Sequence, residues 1–319
     1  MTLPLAPPVK PQLALSRREL PAGEDYVYEV KLDGFRCLAF VDGAELFLQS
    51  RNGRPLGRYF PELAFPHGRY VLDGEIVVRD SDGREDFDAL GQRIHPAASR
   101  VQLLAADTPA VYVAFDLLAH EDETLLEQPF AERRARLERL LAGEPFAHAP
   151  IELMQTVSTP ADARPWLERA EGAIAKQRSA PYLPGERKGM VKVKRVRTID
   201  AVVVGWRPGK AEGTVGALIL GLYDGPALRV VGHCSGLTAA AKRRLVKFLA
   251  AYESGERGSA DPSRWSAGKD REWVGLRPEL VVEIDFDHVS AGRIRHGAKL
   301  RRWRHDKAPA DCTFAQLLG

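Results

Sequence analysis

A lysine attacks only when its amine has lost its proton, and Lys31 stands where that can be arranged. The run Glu29-Val30-Lys31-Leu32-Asp33-Gly34-Phe35-Arg36 places an amine at the end of an alternating apolar strand, with a turn dipeptide and an arginine behind it. A free lysine amine keeps its proton up to about pH 10.4, so nearby cations, a bound metal or desolvation must lower that value before attack at neutral pH. Arg36 is one cation placed to do so. Taken by itself, the string reads equally well as a surface strand lysine beside an Asp-Gly turn. Further clusters follow along the chain. Ser50-Arg51-Asn52-Gly53 ends the next hairpin, Asp73-Gly74-Glu75 sets a carboxylate at a strand start, and Phe115-Asp116 sits in an otherwise apolar strand. Glu171-Gly172 precedes a strand ending at Lys176. In Lys192-Val193-Lys194 the two-residue repeat of a strand puts both ammonium groups on one face. Arg304-His305-Asp306-Lys307 closes a basic C-terminal segment.

The elements that must position these groups read as an antiparallel α+β chain. Asp42-Gly43 separates two apolar runs, as does Asp73-Gly74 between Tyr70–Leu72 and Glu75–Val78, and both are hairpin signals. Further strands are expected at 111–118, 191–194, 201–206, 217–223 and 281–286, with helices at 131–141, 165–170 and 238–252, where apolar residues recur every three or four positions. The basic strand ends and a new apolar strand begins near 198–201, which sets the expected boundary: residues 1–199 as a first domain, 200–319 as a second. The second has the size and strand pattern of a small OB-type barrel. Gly205-Trp206-Arg207-Pro208-Gly209-Lys210 resembles a phosphate-binding loop but lacks one spacer and the following Ser/Thr, and reads as strand and turn.

Composition narrows the classes. With 319 residues, 45% hydrophobic and 28% charged, the chain can fill two packed domains and is too balanced for disorder. No apolar run approaches the ~18 residues of a membrane span, and the proline-rich start lacks the pattern of a secretory signal. A cytoplasmic location is expected. Cys37, Cys234 and Cys312 are scattered, with no C-x-x-C pair, so any metal is expected on oxygen ligands. Charge is uneven: residues 200–319 carry 19 Lys and Arg against 14 Asp and Glu, whereas the rest carries 27 against 29. Two stretches are denser still, with eight basic residues from Lys176 to Arg197 and seven from Arg293 to Lys307. Such runs suit contact with phosphates.

In this order, the clusters resemble the motifs of the covalent nucleotidyltransferases: DNA ligases, RNA ligases and mRNA capping enzymes. The likeness is greatest to ATP-dependent DNA ligases, and among them to the compact bacterial stand-alone class called ligase C. It runs from about Val27 to Lys307. The resemblance implies an adenylation domain of antiparallel sheets and helices followed by an OB-fold domain. It also implies that Lys31 attacks the α-phosphate of ATP and holds AMP as a phosphoramidate. Lys192 and Lys194 would then stabilise the phosphate, and Glu75 and Glu171 would contact the ribose and bind Mg²⁺, with Mn²⁺ as a substitute. Phe115 resembles the aromatic that stacks on adenine, Glu29 the strand glutamate beside the base, and Arg36 the arginine near the ribose and the nick. Arg51 resembles the arginine that reads the 5′-phosphate. Arg304, Asp306 and Lys307 resemble the C-terminal motif that orients the pyrophosphate when the second domain closes, with 197–201 as hinge.

The function implied is sealing of 3′-OH/5′-phosphate nicks in duplex DNA, in repair, by a monomer whose partner class is a repair polymerase or an end-binding protein. Two alternatives stand beside it. One is an RNA ligase or a GTP-dependent capping-type enzyme of the same superfamily. The other is a non-catalytic nucleic-acid-binding relative, against which the carboxylates argue, since in a pure binder they would only repel DNA.

Overall fold

Two-residue alternation shapes more of the chain than helical spacing does, and the chain forms two units, Met1–Arg195 and Val196–Gly319. The computed structural model describes residues 2–258, 272–290, 292–295 and 297–317. In the first unit the strands are β1 (Leu15–Ser16), β2 (Tyr26–Val30), β3 (Phe35–Gly43), β4 (Glu45–Ser50), β5 (Gly68–Val78), β6 (Ala110–His120), β7 (Glu123–Thr124), β8 (Ile151–Leu153), β9 (Thr156–Val157), β10 (Gly172–Gln177) and β11 (Met190–Lys194). The helices are α1 (Phe87–Gln92), α2 (Ala98–Asp107), α3 (Phe130–Leu141) and α4 (Pro160–Arg169).

These strands form two sheets. One runs β4-β3-β5-β6-β7 with β8 paired to β6, the other β1-β11-β10-β2-β9. One face of the first sheet packs Cys37, Leu72, Ile76 and Tyr112 against Leu90 of α1 and Leu137 of α3. One face of the second packs Tyr28 and Ala175 against Ala163 and Trp166 of α4. Burying each of these large apolar side chains contributes roughly 1.5–3 kcal/mol. The remaining faces carry the charged residues singled out in the sequence.

The Asp42-Gly43 turn forms as expected, joining β3 to β4 with Asp42 opposite Glu45. Asp73-Gly74 does not turn. β5 runs unbroken from Gly68 to Val78 between β3 and β6. Asp73 is fully buried there because Arg36 neutralises it, and Gly74 is required because a Cβ would lie 2.5 Å from the Tyr112 ring. The helix expected from Pro165 starts at Pro160 instead. Thr159 caps it by accepting from the Asp162 N–H at 3.2 Å, and Pro160 occupies the first turn, where no amide is needed. Helices α1 and α2 were not expected; α1 is started by Asp86, whose carboxylate accepts from the Ala89 N–H.

The second unit comprises β12 (Arg197–Pro208), β13 (Val215–Asp224), β14 (Ala227–Gly236), α5 (Ala239–Leu249), β15 (Glu253–Gly258), β16 (Trp273–Leu276), β17 (Val281–Phe286), β18 (Val289–Ser290), β19 (Arg293–Ile294) and β20 (Ala298–Trp303). Strands β12, β13, β14, β20 and β17 close a ring, since β12 pairs both β13 and β17. Val203, Leu218, Leu220, Val282 and Ile284 fill its centre. This is a five-stranded barrel of the OB type, as expected. β12 pairs with β17 from Arg197 onward, and the units part between Arg195 and Val196. Among the described residues, no helix is long and apolar enough to cross a membrane.

Candidate active site

Register brings the site of the first unit together. Ile174 on β10 lies opposite both Glu29 on β2 and Lys192 on β11, so alternation puts Glu29, Lys176, Lys192 and Lys194 on one sheet face. Lys31 follows directly at the end of β2, its amide donating to the Gly172 carbonyl at 3.0 Å. Gly172 adopts φ +148°, and a Cβ there would lie 2.1 Å from the Val193 carbonyl oxygen; no other residue fits. This close crossing leads Glu171 to the lysines.

Lys31 Nζ donates to Glu171 Oε2, and Lys194 Nζ sits 3.2 Å from Glu171 Oε1. One carboxylate therefore serves two ammonium groups. Lys192 stands beside them with its pKa lowered, first by burial and then by the charges of Lys194, Lys31 and Arg51. Three ammonium groups thus converge on one side of Glu171, an arrangement suited to a triphosphate. Arg51 itself is exposed in the turn after β4.

Facing this sheet, Arg36 and Glu75 are cross-strand partners on β3 and β5. Arg36 forks onto Asp73 with Nε and Nη2 at 2.6 Å each, and its guanidinium lies 4.6 Å from the centre of the Phe115 ring. Tyr182 donates its hydroxyl to the same Asp73 at 2.6 Å and accepts from the Gln12 N–H. The Glu75 carboxyl is pushed up to about 7 by burial, against the pull of Arg36 and Lys31 and with the push of Asp73 and Glu171. Phe115 is almost buried among Leu32, Val77, Val113 and Met154.

The sequence reading passed over one cation. Lys176 is buried, pairs with Glu29 at 2.8 Å, donates to the Phe115 carbonyl at 3.2 Å, and lies 4.5 Å from the Phe115 ring centre. It ties the two sheets together. Glu29 Oε1 is buried without a partner among the described residues, and burial raises the Glu29 pKa against the opposing pull of Lys176. Asp73 and Tyr182 were likewise not read as site residues. The signal for Lys176 lay in its two-residue step from Ile174 on the Lys192 face.

In the second unit, Arg304 forks onto Asp306, with Nε and Nη2 at 2.9 Å each, and its Nη1 reaches Asp200 at 2.8 Å. Those bonds hold the Asp306 carboxyl down to about 2. Lys307 lies one step beyond, half-buried.

Comparison with known proteins finds matches in both units. A family model described as the ATP-dependent DNA ligase domain matches residues 5–194, and one described as the ATP-dependent DNA ligase C-terminal region matches residues 211–307. The chain is 44% identical to DNA ligase C1 of Mycolicibacterium smegmatis and 43% identical to DNA ligase C of Mycobacterium tuberculosis, in each case over 99% of this chain and 96% of the relative. Among solved structures, the ligase domain of M. tuberculosis LigD superposes with a TM-score of 0.52 at 28% identity, covering 96% of this chain and 98% of that one. On the matches across both units, this chain belongs to the ATP-dependent DNA ligase family.

Proposed function

We propose that the protein seals nicks in duplex DNA in three phosphoryl transfers, with Lys31 as the group that carries AMP. The observation that supports this reading is the sharing of the Glu171 carboxylate by Lys31 and Lys194, with Lys192 alongside. In the first step Lys31 Nζ attacks the α-phosphorus of ATP. The α–β bridging bond breaks, pyrophosphate leaves with its electron pair, and the amine proton passes to Glu171, which already touches Nζ. Lys192 and Lys194 neutralise charge gathering on the α-phosphate oxygens. An oxygen of the 5′-phosphate at the nick, held by the planar fork of Arg51, then attacks the AMP phosphorus as the P–N bond to Lys31 breaks; the 3′-hydroxyl attacks the 5′-phosphorus and AMP leaves.

Phe115 serves as the adenine shelf, Glu29 Oε1 is an acceptor for the adenine amino group, and Arg36 borders the ribose. Asp306 and Lys307 orient the pyrophosphate of ATP, with Arg304 beside them. Glu75 and Glu171 fit a divalent cation such as Mg²⁺. Both are hard oxygen donors, and Glu75 is a carboxylate whose ionisation burial opposes. When bound, the ion neutralises phosphate charge. We place the enzyme in the cytoplasm, acting as a monomer in repair.

The test uses α-labelled ATP. The purified protein should become labelled with ATP and not with GTP, and Lys31→Ala and Lys31→Arg should both drop to background, since neither can present a free amine. Lys31→Ala should still seal a nick whose 5′-phosphate already carries AMP. Label persisting in Lys31→Ala would move the nucleophile elsewhere.

A further inference from the structure

Carboxylates engage all three nitrogens of Arg304. Its Nε and Nη2 are taken by the two oxygens of Asp306, and Nη1 is taken by both oxygens of Asp200 at 2.8 and 3.0 Å. Glu283 adds a third carboxylate 3.7 Å from Nη1 while Arg301 and Arg302 hold it in place at 3.2 and 2.6 Å. Asp200 is itself fixed. It stands on β12 opposite Glu283, its amide donates to Gln316 Oε1 at 3.1 Å, and its carbonyl accepts from Gln316 Nε2 at 3.2 Å. Little water reaches the pair, for Arg304 is 18% exposed and Asp200 13%.

A guanidinium offers its donors in one fixed fork. A phosphate can therefore take the paired bonds from Nη1 and Nη2 only where Asp200 leaves Nη1. Asp306 makes the two parallel bonds, the stronger geometry, and it shares a tight turn with Arg304. Asp200 approaches one nitrogen side-on. It is the easier of the two to displace.

We propose that Asp200 is a positioning residue that holds Arg304 in reserve: pyrophosphate takes Nη1 from Asp200 when ATP is engaged, and Asp200 recaptures it when pyrophosphate leaves. This rests on the reading that the Arg304–Lys307 motif serves the pyrophosphate of ATP. An internal carboxylate that competes with a ligand lowers the ligand's apparent affinity by the fraction of molecules it occupies. It also discourages the reverse reaction, in which pyrophosphate strips AMP from Lys31.

The test compares D200N, which keeps the shape and loses the charge, with D200E, which keeps the charge. Three quantities are read: the KM for ATP in self-adenylylation, the pyrophosphate concentration that removes half the label from adenylylated protein, and the rate of sealing pre-adenylylated nicks. In D200N the first two should fall by about three- to tenfold while the third holds, and D200E should behave as the unaltered protein. A KM in D200N that is unchanged or raised overturns the proposal, as does a D200E that matches D200N. Should D200N fail to fold, Gln316→Ala loosens the Asp200 backbone and should lower the same two quantities by a smaller factor; no fall there overturns the proposal too. A missing ATP label on the unaltered protein would strike the function proposed above, whereas a labelled protein indifferent to D200N would strike only the role of Asp200.

Discussion

Around Lys31, two ammonium groups divide one carboxylate and a third stands beside them; around Arg304, one guanidinium is divided between two carboxylates with a third nearby. The first arrangement gathers three ammonium groups that an incoming phosphate can contact together. The second yields a paired contact to an anion only by exchange at Nη1. Binding phosphate at the first unit therefore relieves repulsion, whereas binding it at Arg304 replaces one charged hydrogen bond by another and gains little net energy. A strong permanent site and a weak reversible one are what an enzyme needs if one domain keeps AMP and the other must let pyrophosphate go.

Three variants probe the first half of that contrast. The double variant Lys192→Ala, Lys194→Ala should lower the rate of self-adenylylation by about 10³-fold, because groups aimed at developing charge in a protected site are worth several kcal/mol each. Single-turnover labelling measures it, and a loss confined to KM would instead make these lysines ground-state binders.

Glu75→Gln should have a smaller, pH-dependent effect. The Glu75 carboxyl rises from an ordinary 4.5 to about 7 in the folded protein, so the fold binds this proton more tightly than the unfolded chain does. Its stabilisation is complete below about pH 4.5 and disappears as pH climbs through about 7. Without metal, the melting temperature of the unaltered protein should fall across that window, and Glu75→Gln should flatten the fall. The Mg²⁺ concentration needed for half-maximal labelling should drop as pH rises toward 7, since proton and cation compete for the same oxygens. Parallel melting and metal profiles for the two proteins would refute this assignment.

The smallest effect is expected from Tyr182→Phe, which removes the hydrogen bond to buried Asp73 and the one accepted from the Gln12 N–H, and leaves the Arg36 fork intact. A loss of about 1–2 kcal/mol in urea unfolding with near-normal labelling is expected. A large loss of labelling would mean that Tyr182 sets the position of Arg36 rather than merely satisfying Asp73.

Much of this was legible in the sequence, for physical reasons that differ by residue. Lys31, Lys192 and Lys194 were readable because a strand's alternation assigns faces without knowledge of its neighbours. The barrel was readable because its strands are short, apolar and separated by turn residues. Asp73 was misread because an Asp-Gly pair signals a turn unless a cation neutralises the aspartate, and Arg36 is placed there by sheet register, which local sequence does not carry. Lys176 was missed for the same reason. Its partners Glu29 and Phe115 come from an adjacent strand and from the facing sheet.

Gly172 brings a genetic consequence. Every change to the first or second base of a glycine codon installs a side chain or stops the chain, and at this position even a methyl group would strike the Val193 carbonyl. The placement of the Lys31 amine thus depends on a neighbour that tolerates only silent mutation. A survey of inactivating lesions in this gene would find position 172 among them as readily as position 31.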